Sequence, residues 1–317
     1  MLPLSIRFHK LILALLVFVV AHAYCQECRC VTIQECGDGG GLIKPRHNAT
    51  AICNEGLYYC CLILATVQPS PKCGIHDPAS IPGFAYGVGN VALYREFPWL
   101  VKILGKDGQY LGSGALIDSH RVLTVAHLFQ NHKPHSVVVG MHTEVARVVE
   151  STEHKDFNWV NLSNDVTILY LERNSLNLGE LFPLVGKVCL PHEEEFLQGG
   201  KNCVLSTFGE NGYPIIRKIK MSLLSGQDCQ DQFRRTGKLG PGFHLNKKSF
   251  ICAGGSEPGQ DACEGHGGSP LVCKIDGRFY LAGLVSWGVT KGDCSDRGNF
   301  PGVYLNVAHY AGWIRDN

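Results

Sequence analysis

Three stretches of this chain hold residues whose types could do chemistry together. His127 closes the run Leu123-Thr124-Val125-Ala126-His127, and Asp165 stands in Asn164-Asp165-Val166-Thr167-Ile168-Leu169. The third stretch is Asp261-Ala262-Cys263-Glu264-Gly265-His266-Gly267-Gly268-Ser269-Pro270. In acyl transfer a histidine acts as general base, an aspartate orients it, and a side-chain oxygen or sulfur forms the covalent intermediate. Read alone, the third stretch is a glycine-rich turn between strands.

Taken together, the three stretches resemble the histidine, aspartate and nucleophile motifs of chymotrypsin-family (S1) serine proteases, in that family's chain order. There the third motif runs Cys, any residue, Gly, Asp, Ser, Gly, Gly, Pro. Cys263, Gly265, Gly268 and Pro270 keep the register. Gly267 stands in the serine's place and His266 in that of the aspartate before it. The resemblance therefore implies a site without an intact catalytic set. His127 and Asp165 remain, Gly267 marks the nucleophile position, and Gly265 and Gly267 are the remnant of the oxyanion hole. Ser269 lies two residues beyond Gly267, roughly 6–7 Å of extended chain, whereas a nucleophile must stand within about 2.6–3.2 Å of its base.

The peptide-binding residues are better kept. By resemblance, Asp261 sits at the floor of a pocket for Arg or Lys, and Ser286-Trp287-Gly288 forms the edge strand that pairs with an extended peptide. Pro301-Gly302-Val303-Tyr304 resembles the pocket's far wall. Retention of the scaffold alone explains these residues as well as a working pocket does. In active relatives a new N-terminus, released after a basic residue, pairs with the aspartate before the serine. That junction maps to Ala85-Tyr86, and no Lys or Arg occurs between Cys73 and Tyr94. The resemblance also implies a lost bridge beside the histidine, its two positions reading Gly112 and Leu128.

The elements that must position these residues belong to a chain of 317 residues with 29 Lys and Arg, 28 Asp and Glu, and 15 Cys. Near-neutral charge argues against nucleic acid or an acidic membrane surface as partner. The cysteine count points to an oxidising compartment. Arg7 and Lys10 precede an apolar run from Leu11 to Ala21, followed by Ala21-His22-Ala23. This reads as a signal peptide over residues 1–23, too short in its apolar part to span a bilayer. With no later anchor, the chain is expected to be secreted.

Residues 24–61 hold Cys25, Cys28, Cys30, Cys36, Cys53, Cys60 and Cys61. So short a segment needs disulfides to fold, and six cysteines allow 15 pairings. The spacing resembles an arthropod clip domain, which implies Cys28–Cys60, Cys30–Cys53 and Cys36–Cys61. Cys25 is left over, either to link two molecules or to leave with the signal. Residues 62–90 form a linker punctuated by Pro69, Pro71, Pro78 and Pro82.

Residues 91–317 read as all-β. Short strand-like runs, such as Leu100–Leu104, Val122–Val125, Ser136–Val139, Val166–Leu171 and Leu281–Ser286, are separated by turn residues. Ala308 to Trp313 reads as a short terminal helix. The family fold implied is chymotrypsin-like, a double six-stranded β-barrel with the site in the cleft between barrels. The bridges implied are Cys73–Cys189, Cys203–Cys273, Cys229–Cys252 and Cys263–Cys294. Asn48-Ala49-Thr50 and Asn161-Leu162-Ser163 are acceptors for N-linked sugar in a secreted chain, the second close in sequence to Asp165.

The segment from Arg234 to Gly255 strengthens a resemblance to the inactive clip-domain homologues of arthropods. That resemblance implies a secreted adaptor or cofactor in extracellular cascades of haemolymph immunity, with proteases, zymogens or inhibitors as partners. Two rival readings are a pseudo-protease that captures inhibitors or Arg-containing peptides at Asp261, and a weak hydrolase with an unusual nucleophile. A metal site built from His127 with His132, His135 or His142 lacks a recognised ligand spacing, so neither metal nor cofactor is expected.

Overall fold

The computed structural model describes residues 27–31, 58–62 and 73–75, and all of 90–317 except 94–95, 141–144, 174–175, 177–184, 193–201, 210–211, 213–214, 238, 241, 256–261, 263–264 and 290–300. The chain divides into two compact units, Met1–Pro69 and Ser70–Asn317. In the first, β1 (Glu27–Val31) pairs antiparallel with β2 (Tyr58–Leu62), Cys28 opposite Cys61 and Arg29 opposite Cys60. The three bridges expected there, with Cys36 and Cys53, lie outside what is described, as do Cys25 and Asn48.

The second unit holds two closed six-stranded barrels. The first barrel comprises β3 (Leu100–Leu104), β4 (Tyr110–Leu116), β5 (Arg121–Thr124), β6 (Ser136–Val139), β7 (Val145–Glu153) and β8 (Thr167–Leu171). The second comprises β9 (Cys203–Phe208), β10 (Ile216–Leu224), β11 (Phe250–Gly255), β12 (Pro270–Ile275), β13 (Arg278–Trp287) and β14 (Gly302–Asn306). Closure leaves no free sheet edge within either ring. Side chains alternate across a strand, so each barrel is filled from its inward positions. In β6, Val137 and Val139 are buried while Ser136 and Val138 are only partly covered. Trp99, Leu100, Ile103, Leu116, Leu123 and Ile168 are wholly buried in the core.

Disulfides staple this unit at three described places: Cys73–Cys189, Cys203–Cys273 across the paired strands β9 and β12, and Cys229–Cys252. The last ties β11 to an α-helix, α1 (Gly226–Thr236), which the strand pattern had not suggested. Its start is set by Ser225, whose hydroxyl accepts from the Asp228 amide at 3.0 Å. Its end is set by Gly237 at φ 64°, a left-handed cap that glycine adopts without Cβ strain. Cys263 and Cys294 fall outside the described residues.

The terminal helix α2 runs Ala311–Asp316 rather than from Ala308. The amides of His309, Tyr310 and Ala311 each bond three residues back, so 307–310 are spent in tight turns. The Tyr310 hydroxyl donates to Asn164 Oδ1 at 2.9 Å and lies 3.0 Å from Ser249 Oγ, which pins that turn before the helix begins. Among the described residues no helix is long and apolar enough to cross a membrane.

Candidate functional site

β5 ends at Thr124, and Val125, extended at φ −98° and ψ 143°, turns the chain into a single 3₁₀ turn, Ala126–Phe129. That turn lifts His127 out of the first barrel. Asp165 enters from the other side, just ahead of β8, after Asn164 adopts a left-handed φ of 59°. Asn can take that conformation at modest cost. Its side chain is held at both ends, Nδ2 donating to Asp156 O at 2.8 Å and Oδ1 accepting from Tyr310.

The wholly buried Asp165 carboxylate accepts three hydrogen bonds. The His127 amide donates to Oδ1 at 2.9 Å, His127 Nδ1 lies 2.8 Å from Oδ2, and Ser286 Oγ donates to Oδ2 at 2.6 Å. Three donors satisfy a buried carboxylate that would otherwise be costly to desolvate. With an acceptor at Nδ1, the network assigns the neutral ring proton to that nitrogen and leaves the Nε2 lone pair facing outward. Ser286, near the end of β13, is thus hydrogen-bonded into the histidine–aspartate pair.

Across from His127 lies the turn that carries Gly267. An ideal Cβ on Gly267 would stand 3.5 Å from His127 Nε2 and 2.9 Å from Leu128 Cδ2. A Cβ on Gly112 would meet Leu128 Cδ1 at 2.5 Å. The two positions that the resemblance assigns to a bridge are therefore neighbours, and Leu128 fills the space beside both glycines. Gly267 supplies no oxygen or sulfur to His127.

The turn itself is firmly held. Gly267 O accepts from the Ser113 amide at 2.9 Å, and the Gly268 amide donates to Val285 O at 2.8 Å. Gly268 has φ +74°, and a Cβ there would stand 2.0 Å from Ser113 O, so this position requires glycine. Gly265, at φ +84°, has open space where its Cβ would be. Tyr110 Oη lies 2.8 Å from Ser113 Oγ and donates to Gly265 O at 3.4 Å. Burial pushes the Tyr110 hydroxyl up, against a smaller opposing effect of its bond to Ser113, so it stays a neutral donor. His266 is buried beside this turn.

Ser269 points elsewhere. It is wholly buried and its hydroxyl donates to Thr207 Oγ1 at 3.1 Å, inside the second barrel. Asp261 lies outside the described residues. Trp287 is half-buried at the end of β13, stacked on Phe233 at 5.7 Å and edge-on to Phe243 and Phe250 at 6.0 Å, with Gly288 exposed beyond it. Asn161 is exposed on the loop before Asp165.

The family model described as Trypsin matches residues 87–314. The inactive CLIP domain-containing serine protease A3 of Aedes aegypti is 35% identical, over 91% of this chain and 66% of its own length. Phenoloxidase-activating factor 2 of Galleria mellonella is 38% identical, over 71% of this chain and 81% of its own. The inactive CLIP domain-containing serine protease A8 of Anopheles gambiae is 29% identical, over 86% and 81% respectively.

Proposed function

The chain belongs to the trypsin family as a clip-domain serine protease homologue, and on that premise we propose that it is a secreted, catalytically silent member that serves as a binding component of an extracellular proteolytic cascade. The observation that carries this reading is the geometry opposite His127. The base and its orienting aspartate are assembled, yet a Cβ at Gly267 would stand 3.5 Å from Nε2 with no atom beyond it to attack a carbonyl. Removing a triad nucleophile leaves only the residual effects of binding and of the oxyanion donors.

Two relatives carry "inactive" in their names and a third is called a phenoloxidase-activating factor. These names support a role in which the fold is kept for contact with other proteins of a cascade, such as one that activates phenoloxidase. Fifteen cysteines and the apolar leader ahead of Ala23 support secretion.

The test is reconstitution. Purified chain is added to an active clip-domain protease and its phenoloxidase zymogen. The expected result is faster zymogen activation with the chain than without it, unchanged when His127→Ala replaces the wild type. An effect that needs His127 overturns the silent reading, and no effect of either protein overturns the cascade role.

A further inference from the structure

The loop between β7 and β8 carries an unusual exposed feature. Trp159 is 42% exposed and Val160 is 95% exposed. Large apolar side chains left together in water call for a covering group. The loop that bears them is well ordered by its own bonds. Asn158 Oδ1 accepts from the amides of Val160 and Asn161, the Asn158 amide donates to Ser163 O at 3.0 Å, and Trp159 is edge-on to Phe157 at 4.7 Å.

Asn161 follows Trp159 by two residues and opens the tripeptide Asn161-Leu162-Ser163. Its side-chain oxygen accepts from the Ser163 amide at 3.0 Å, and the residue is exposed. Leu162, at φ 55°, packs into the cluster of Phe233, Phe243 and Trp287. Asn161 is thus exposed, while the neighbouring Leu162 is partly buried.

We infer that Asn161 carries an N-linked oligosaccharide whose innermost sugar lies over the exposed face of Trp159. The inference rests on the secreted reading, since the donor, a lipid-diphosphate-linked oligosaccharide, is met only on that route. In the transfer, Asn161 Nδ2 bonds to the sugar's C1, the C1–oxygen bond to the diphosphate breaks, the lipid diphosphate leaves with the electron pair, and Nδ2 gives up one proton. The apolar C–H face of a pyranose suits the indole ring, as other amphipathic partners of tryptophan do.

The full chain is expressed in a eukaryotic cell line behind its own leader and, in parallel, behind a foreign one. Retention with the first leader alone counts against secretion and leaves the test of Asn161 to the second. In secreted protein, the tryptic peptide 156–173 is expected to be heavier by at least two N-acetylhexosamines, and to lose that mass in both Asn161→Gln and Ser163→Ala. An unmodified wild-type peptide, beside a co-expressed glycoprotein that is modified, overturns the site. Enzymatic removal of the sugar should lower the Tm of the wild type by about 2 °C, within the range that weak surface contacts produce in a domain of this size, and leave Trp159→Ala unchanged. Equal shifts in the two proteins overturn the seat on Trp159.

Discussion

Leu128 Cδ2 lies 2.9 Å from the point at which Gly267 would carry a Cβ. The residue that follows the base thus fills part of the space a nucleophile would use. Because the contact is with the far end of a leucine, Gly267→Ser should fold, at an overpacking cost within about 1–3 kcal/mol. It should not hydrolyse arginine thioesters above buffer. The resemblance to active relatives puts His266 where they carry the carboxylate that organises the oxyanion donors, and loss of such donors costs about 10²–10³ in rate. Turnover by Gly267→Ser that disappears with His127→Ala would contradict this.

The two left-handed glycines of the turn should respond differently to alanine. At Gly268 the new Cβ meets Ser113 O at 2.0 Å in addition to its φ of +74°. A loss of more than about 2 kcal/mol is expected, from strain and backbone collision together. At Gly265, φ +84° with open space around the Cβ, only the strain remains, about 1–2 kcal/mol. Urea unfolding of the two variants measures the difference, and equal losses would show that the collision with Ser113 is absent.

Ser269→Ala removes a buried hydroxyl that donates to Thr207 Oγ1 at 3.1 Å. A loss of about 1 kcal/mol is expected, with no change in any partner-dependent activity. The paired readout of unfolding and reconstitution separates a structural hydroxyl from a working one. Unchanged stability with lost activity would reverse the assignment.

Stability should fall below neutral pH in part through His154. Burial holds its pKa below the usual histidine value, against the opposing pull of Asp156 and with small further lowering by Lys155 and His309. The ring is tilted against Trp313 at 5.3 Å and edge-on to Tyr310 at 5.7 Å, while Nδ1 accepts from the Asp156 amide at 3.2 Å. A pKa depressed by folding means that the unfolded chain binds the proton first. The contribution is therefore complete above the ordinary value near 6.5 and is lost as pH falls through the folded value. The drop in Tm between pH 7.5 and pH 5.5 should be smaller in His154→Gln than in wild type. An equal or larger drop would contradict it.

Much of the barrel architecture was legible because its signal is local. β3 and β6 lie where short strand-like runs between turn residues placed them, β5 is shifted by one residue at each end, and β8 begins one residue later. The helix α1 was missed because its apolar positions are few, Cys229 and Phe233 being the buried pair. Its Ser225-x-x-Asp228 start was the available signal. The site was legible as a set of motifs and not as contacts. Nothing in the sequence placed the Ser286 hydroxyl on Asp165 or set Leu128 against Gly267, since each pair is brought together only by barrel closure and packing across the cleft.

The central claim is that, among the described residues, no side chain can form an acyl intermediate with His127 as its base. The most direct measurement is labelling of the purified wild-type chain by a fluorophosphonate probe, read by intact mass, alongside an active trypsin as control. The account predicts no covalent adduct on the chain while the control is fully labelled. An adduct that maps to Ser269 or another hydroxyl and vanishes in His127→Ala would contradict it.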